Sequence, residues 1–286
     1  MWSQWYGKPI VKFNINYFAV HRESAWRYKR PGDGDDLWLR SVLIYSMEDV
    51  EFIMNEFFKT KKTHFYVSTN RYDWRITGRH PTRFVGQKEW RRDVFKNAEE
   101  EGGFVTGKDA VFEIDCAGHD KRAWLDDWEK GIRVSQDIVK ALPGHGIKKA
   151  WPVFSGSGGI HIWVPWDQLQ PLYEDTTYFK EHGMDYAALG EFAKEFVAEV
   201  VFGTGGERGE RRQVNLDGIP VDVSPNTKRG LIRCPYSIHP KTEYVVLPLS
   251  KYDFWNLKPE HIDKKFSIKS VLRNIGLKNR GMLNVL

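Results

Sequence analysis

Val111-Phe-Glu-Ile-Asp115, followed downstream by Ser155-Gly-Ser-Gly-Gly-Ile-His-Ile-Trp-Val164, is the stretch on which the reading of this chain turns. In an extended strand, residues two apart share a face at about 6.5–7 Å along the chain. Glu113 and Asp115 therefore point one way, and Phe112 and Ile114 point the other, toward a core. Two carboxylates at that spacing repel by roughly 2 kcal/mol at an effective dielectric of about 20. A divalent cation between them turns the penalty into binding, and Mg²⁺ and Mn²⁺ favour such oxygen ligands. For an acid-x-acid strand alone, a solvated strand face is the competing reading. The glycine-rich turn adds a second signal. Its backbone N–H groups are not screened by side chains and can wrap phosphate oxygens, and His161 on the face opposite Ile160 and Ile162 can donate to a triphosphate. By itself the segment also reads as a hairpin turn followed by a satisfied histidine. No Gly-Lys-Ser/Thr follows, so it is not a Walker loop. Trp163 occupies the second position of a would-be His-x-His pair, which weakens a relaxase-type reading. Together the two stretches read as a metal site beside a phosphate cradle, a pairing that points to nucleotidyl transfer.

A third acid is Asp222 in Pro220-Val-Asp-Val-Ser224, again in a short apolar strand context. Three carboxylates from two strands are what a site for two metal ions needs. The segment from Asn226 to Thr242 is basic. In Leu231-Ile-Arg233, Leu231 and Arg233 share one strand face and Ile232 takes the other. An arginine pointing into a domain needs an anion, and its rigid fork suits phosphate; an edge-strand arginine paired to a structural acid is the alternative. His239 and Lys241 follow a proline-containing turn and are placed to reach ribose or phosphate.

The rest of the chain sets the frame. Its 286 residues are enough for one large domain or two smaller ones, and 41% hydrophobic content without a low-complexity tract is globular. No run approaches eighteen apolar residues, so no membrane span is predicted, and Met1-Trp-Ser-Gln-Trp-Tyr6 lacks a signal-peptide pattern. Two cysteines, Cys116 and Cys234, supply neither a disulfide framework nor a four-cysteine zinc site; a reducing cytoplasm fits. The net charge of +5 is compatible with nucleic acid but weak by itself. Turn chemistry marks 30–36, strands are predicted over 37–43, 64–69 and 110–115, and a helix over 49–59. Residues 71–109 read as a charged surface excursion. A long helix over 124–142, with Trp124, Trp128, Ile132, Ile138 and Leu142 on one face, is stopped by Pro143-Gly-His-Gly146. Strands near 150–154 and 160–164 flank the glycine turn, and a second helix over 184–201 buries Leu189, Phe192, Phe196 and Val200. Residues 203–218 read as a loop, strands follow near 219–223, 229–233 and 243–249, and a helical tail is expected after Lys258. The expected organisation is a mixed α/β domain over residues 1–255, with 256–286 as a helical tail or a link to a further domain.

In this order the clusters resemble the archaeo-eukaryotic primase superfamily, most closely its primase catalytic small subunits. Those proteins carry an acidic-x-Asp strand, then Ser-Gly-x-x-Gly-x-His-x-Trp-Val, then an isolated Asp, then Leu-[Leu/Ile]-[Arg/Lys]-x-Pro-x-Ser-[hydrophobic]-His-x-Lys-Thr. Here these read Glu113-Ile-Asp115, Ser155 to Val164, Asp222, and Leu231 to Thr242. Asn16 to Glu23 is similar to the family's Asn-Tyr-Phe…His-Arg-Glu segment, and Leu37-Trp-Leu-Arg40 to its following strand. The resemblance implies an α/β (α+β) primase-polymerase core, an RRM-like βαβ unit packed on a second α/β unit, with mixed sheets flanked by helices. It implies that Glu113, Asp115 and Asp222 hold two Mg²⁺ or Mn²⁺ ions, and that Arg40, Ser155, Gly156, His161, Arg233 and His239 hold the incoming nucleotide. Glu113 stands where Asp is usual, and Ser157-Gly158 where Arg-Arg is common, so one phosphate contact is lost. Only Cys116, with His119 and His145, lies where cellular subunits often carry a zinc knuckle, and none is predicted. These departures favour a divergent member, of a plasmid, virus or other mobile element in a prokaryotic cytoplasm.

The implied activity is template-directed synthesis of RNA or DNA primers on single-stranded DNA. Its implied partners are the template, nucleoside triphosphates and, beyond them, a primase large subunit or a helicase. Template contact is expected from the basic stretch 71–92, including Arg75, Arg79, Arg83, Arg91 and Arg92. The alternatives are a repair or gap-filling polymerase that extends primers without starting them, and a non-catalytic single-strand-binding replication protein.

Overall fold

The computed structural model describes residues 2–29, 36–58, 64–73, 105–116, 123–208 and 213–277. In chain order the elements are α1 (Trp2–Tyr6), α2 (Pro9–Ala19), β1 (Arg22–Lys29), β2 (Asp36–Ile44) and α3 (Met47–Ile53), the last continued by a π turn (Met54–Phe58). β3 (Phe65–Ser68), β4 (Asn70–Tyr72), β5 (Val105–Lys108), β6 (Ala110–Asp115), α4 (Ala123–Ala141), β7 (Trp151–Phe154) and β8 (Gly159–Val164) follow. Then come α5 (Trp166–Glu174), α6 (Thr177–His182), α7 (Tyr186–Gly203), β9 (Glu207–Arg208), β10 (Gln213–Leu216), β11 (Ile219–Asp222), β12 (Leu231–Arg233) and β13 (Leu247–Pro248). Helices α8 (Lys251–Trp255), α9 (Ile262–Phe266) and α10 (Ile268–Leu277) close the described chain.

Among the described residues the strands form a seven-stranded sheet in the order β13-β7-β8-β6-β11-β10-β9, a four-stranded sheet in the order β12-β3-β1-β2, and the pair β4-β5. Every recorded pairing is antiparallel. Within the large sheet β6, α4, β7, β8, α7 and β11 make a β-α-β-β-α-β run whose strands lie in the order 2-3-1-4. That is the split βαβ arrangement expected for an RRM-like unit. The four-stranded sheet and α1–α3 form the second unit.

Alternation along β6 separates two cores. Phe112 and Ile114, with Ile160 and Ile162 of β8, pack under Trp128 and Ile138 of α4 and Leu189, Phe196 and Val200 of α7. Val111, Val153 and Trp163 face the other way and pack with Trp26, Phe65, Val67 and Ile232 of the small sheet and with Trp5 and Phe18 of the N-terminal helices. β6 is further held by Asn226, whose Nδ2 donates to Val111 O and whose Oδ1 accepts from Val111 N–H, both at 2.7 Å. That buried side chain continues the ladder where β11 has ended. The expected stop of α4 is present: Leu142–His145 tightens into a 3₁₀ turn and Gly146 takes the left-handed cap at φ 79°.

Several expectations need correction. Residues 203–218 are not a loop throughout. Asp217 (φ 53°) and Gly218 (φ 75°) form a tight hairpin turn joining β10 to β11, in which both central residues need positive φ. The alternation of Val214 and Leu216 with Ile219 and Val221 is the strand signal that the charged flanks obscured. The ends of the excursion at 71–109 are paired strands, β4 with β5, because Tyr72 and Val105 bury. Residues 243–249 contribute only the two-residue β13 and isolated bridges, Ile238 with Val245 and Tyr244 with Ser267. The turn cluster at 30–35, His119 and the basic residues Arg75, Arg79, Arg83, Arg91 and Arg92 lie outside the described residues, as does the side chain of Trp124. No change of packing marks residue 256: Ile262 and Phe266 join the helix-side core, Ile268 and Val271 the other, and Phe266 stacks on Phe154 with ring centroids 4.2 Å apart. No helix among the described residues is long and apolar enough to cross a membrane.

Candidate active site

Strand register assembles the acids. Asp222 of β11 lies directly opposite Glu113 of β6, Glu113 opposite His161 of β8, and His161 opposite Val153 of β7. Opposed residues in an antiparallel pair share a face, so Asp222, Glu113 and His161 form one row across three neighbouring strands. Asp115 lies two residues along from Glu113 on that face, at the exposed end of β6 and opposite Gly159. A Cβ built on Gly159 would come within 3.2 Å of Asp115 Oδ1 and 2.5 Å of Ile114 O, so the carboxylate sits against the glycine turn and only glycine fits there.

The charges interact. Burial raises the Asp222 carboxyl above its ordinary value, the Ser224 backbone N–H lowers it, and the negative charges of Glu113 and Asp115 raise it further. Burial pushes Glu113 up as well, but the hydrogen bond and charge of His161 and the charge of Arg233 outweigh it and hold Glu113 below the usual range. His161 Nε2 lies 3.5 Å from Glu113 Oε1, with the ring buried and the Glu113 side chain 31% exposed. Asp222 Oδ1 accepts from Ser224 N–H at 2.7 Å. Among the described residues no three His, Cys, Asp or Glu side chains are drawn together as a metal-ligand group. Glu113 pairs with His161, and Asp222 with the Ser224 backbone N–H.

The raised Asp222 carboxyl, pushed up by burial first and by the neighbouring charges of Glu113 and Asp115, predicts a stability effect with a definite sign. A raised carboxyl contributes stability that is present below its unfolded value and lost as pH rises through its folded value. Charged Asp222 is therefore destabilising at neutral pH. Asp222→Asn keeps an acceptor for Ser224 N–H and drops the charge, so the metal-free variant is expected to melt higher than the parent at pH 7. The gain should shrink to nothing in acid below the carboxylate range. Thermal melts in a chelator at pH 7 and in acid check both halves.

The turn itself is held from within and from the small sheet. Ser155 Oγ accepts from Gly159 N–H at 3.0 Å and Ser157 N–H at 3.4 Å. Two of the donors expected to face a phosphate are therefore used inside the turn. Arg233 Nη1 donates to Ser155 O at 2.7 Å and to Ser157 Oγ at 3.3 Å, and its guanidinium lies 5.8 Å over the Tyr66 ring. Arg233 thus clamps the turn's carbonyl, lies near enough to stabilise ionised Glu113, and leaves its buried Nε without a hydrogen-bond partner. Gly156, at φ 83°, lies against His239, since a Cβ there would come within 2.9 Å of His239 Cβ. Ser155, Gly156, Arg233 and His239 thus meet at the turn, and His161 and Arg233 lie beside Glu113. Arg40 lies within β2 at the far edge of the small sheet, at the register irregularity between Trp26↔Leu39 and Ser24↔Val42; its side chain is outside the described set.

One group was missed from sequence. Asp109, fully buried, accepts from Arg22 Nη2, from Arg71 Nε at 3.3 Å and from Trp166 N–H at 3.0 Å. Arg22 Nη1 also donates to Ser68 O and Thr69 O. Beside it Lys108 Nζ donates to Thr69 Oγ1, Asn70 Oδ1 and Thr227 O, while burial pulls its ammonium down to about 7. This network ties the strand carrying the acids to the small sheet. A cavity of about 270 Å³ bounded by His145, Phe192, Phe196, Glu195 and Glu199 lies on the helix side, away from the acids.

No protein-family model matches the chain, and no curated protein matches it in sequence. Among solved structures it is similar to the "Polymerase Domain from Mycobacterium tuberculosis Ligase D in complex with DNA", with a TM-score of 0.57 and 15% identity over 97% of this chain and 88% of that one. At that identity the likeness is one of fold. The fold is that expected from the resemblance, an α/β core of antiparallel sheets flanked by helices.

Proposed function

We propose that this chain is a metal-dependent nucleotidyltransferase of the primase-polymerase kind, building a nucleic-acid strand on a single-stranded DNA template. The observation that carries the reading is the row Asp222, Glu113 and His161 across neighbouring strands, with Asp115 against the Ser155–Gly159 turn, on a fold shared with a DNA-bound polymerase domain. The donor set is all oxygen, and Asp222, raised by burial and by the charges of Glu113 and Asp115, is a carboxylate that a divalent cation would stabilise, so the residues fit Mg²⁺ or Mn²⁺. Bound by Glu113, Asp115 and Asp222, two such ions would activate the attacking hydroxyl and neutralise the leaving phosphates. The chain's own groups hold and orient the nucleotide. His161 is buried beside Glu113 with its Nε2 facing that carboxylate, which holds the ring at the site. Arg233 sets the shape of the turn and places positive charge next to it, and His239 donates from the other side of Gly156. Residues 1–255, together with the helices α9 and α10 that pack into their two cores, are assigned to the catalytic domain, with basic residues in 71–92 as the template contact.

Arg233→Ala is expected to raise the nucleotide KM about tenfold or more, since charged hydrogen bonds contribute roughly 1.5–3 kcal/mol; steady-state kinetics with an unchanged KM would reject its role. The reading as a whole is tested by incubating the protein with single-stranded DNA, Mg²⁺ or Mn²⁺, and either ribo- or deoxyribonucleoside triphosphates, with and without a primer. Products without primer support a primase. Extension only from a primer supports the second reading, a primer-extending polymerase, which the similarity to a polymerase domain of a ligase favours. No incorporation under any condition sinks both.

A further inference from the structure

Thr242 joins the His239 ring to the glycine turn. Its backbone N–H donates to His239 Nδ1 at 3.2 Å, and its Oγ1 donates to Gly156 O. The same Oγ1 accepts from Tyr244 N–H at 3.2 Å and lies 3.0 Å from His239 Nδ1. A hydroxyl has one hydrogen, and here Gly156 O takes it. The backbone hydrogen of Thr242, unlike a hydroxyl, cannot rotate away. A proton on Nδ1 would face that fixed hydrogen, so Nδ1 is the acceptor and the neutral ring carries its hydrogen on Nε2. The loop has little freedom to change this. His239 N–H donates to Tyr244 O and Glu243 N–H to His239 O, both at 2.8 Å, with Glu243 in the left-handed region at φ 61°.

We infer that Thr242 is a positioning residue for the nucleotide. It holds His239 in the Nε2–H tautomer and locks the ring and the Ser155–Gly159 turn into one unit, so that His239 is a preoriented neutral donor to a phosphate oxygen. This rests on the phosphate-binding role proposed above for His239. Sequence spacing alone places Thr242 three residues from His239; the hydroxyl's bond across to Gly156 is what gives it a role in the site.

Two measurements test the inference. In ¹⁵N-histidine-labelled protein, long-range ¹⁵N–¹H correlation, with His239 assigned by its loss in His239→Gln, should show a neutral His239 protonated on Nε2. A ring protonated on Nδ1 overturns the inference whether or not the chain is an enzyme. Second, equilibrium binding of a deoxyribonucleoside triphosphate with Mg²⁺, followed by tryptophan fluorescence, is compared in wild type, Thr242→Val and Thr242→Ser. The valine variant should bind about tenfold more weakly, the loss of one clamping hydrogen bond, with kcat within about twofold. The serine variant, which keeps the hydroxyl, should bind within about threefold of wild type and carry the test if the valine variant fails to fold. Equal binding by valine and wild type, or a serine variant as weak as valine, overturns the positioning role. Wild type that binds no triphosphate removes the phosphate-binding reading itself, a result distinct from a tautomer found as expected.

Discussion

Asp115→Ala is expected to abolish nucleotide incorporation while leaving the fold intact. Loss of one preorganised stabilising donor typically costs 10²–10³ in rate; removal of a metal-holding carboxylate should cost on the order of 10³-fold or more. The structural price of the substitution is small. Asp115 is exposed at the end of β6, opposite Gly159, and exposed positions change stability by about 0.5 kcal/mol or less. The substitution also removes one of the charges that raise Asp222, so the metal-free variant should be no less stable than its parent at neutral pH. Primer synthesis and extension, a thermal melt, and the rise in melting temperature on adding Mn²⁺ are to be measured together. Lost activity, a retained melt and a reduced Mn²⁺ response are the expected set. Synthesis at wild-type rates from a folded variant would reject the assignment of Asp115, and with it the three-carboxylate site.

Asp109→Ala should be the most damaging change to the fold. Its carboxylate is fully buried and is the partner of an almost fully buried Arg22, of Arg71 and of the first amide of α5. Removing one partner of a buried pair leaves the other charge uncompensated and typically costs about 3–5 kcal/mol. For a chain of this size that corresponds to a fall in melting temperature on the order of 10 °C. Asp109→Asn keeps an acceptor for Trp166 N–H and should lose less. Because Arg22 also holds the end of β3 through Ser68 O and Thr69 O, the damage should spread to the junction of the two sheets. Faster hydrogen exchange at β3 and β6 would show it. A melting temperature within a degree or two of wild type would mean that the pair contributes nothing beyond its own desolvation.

Local chemistry made part of this readable in advance. The period-two pattern of β6 sorted Phe112 and Ile114 to one face and Glu113 and Asp115 to the other, and the structure keeps that sorting because each pair has its own core or opening to meet. The end of α4 followed from glycine at Gly146, where positive φ is needed. The β10–β11 hairpin was equally local, carried by Asp217-Gly218 between alternating apolar residues, and was hidden only by the charged and glycine-rich residues before it. Arg233 was harder. Its strand face was readable, but its partners, Ser155 O and Ser157 Oγ, lie in the turn between two strands of the other sheet.

From sequence alone came the identities of the acids, the face each takes on its own strand, and the glycines that the turn cannot do without, because these depend on neighbours a few residues away. Which strands lie side by side, and in what register, was decided only by tertiary packing. Asp222 stands beside Glu113 because burying Val221 and Ile114 on the opposite face leaves β11 and β6 one register; a shift of one residue would turn the carboxylate into the core. The Arg22–Asp109 pair and the Thr242–Gly156 bond likewise join residues far apart in the chain, and only the folded chain, which buries them together, gives them partners.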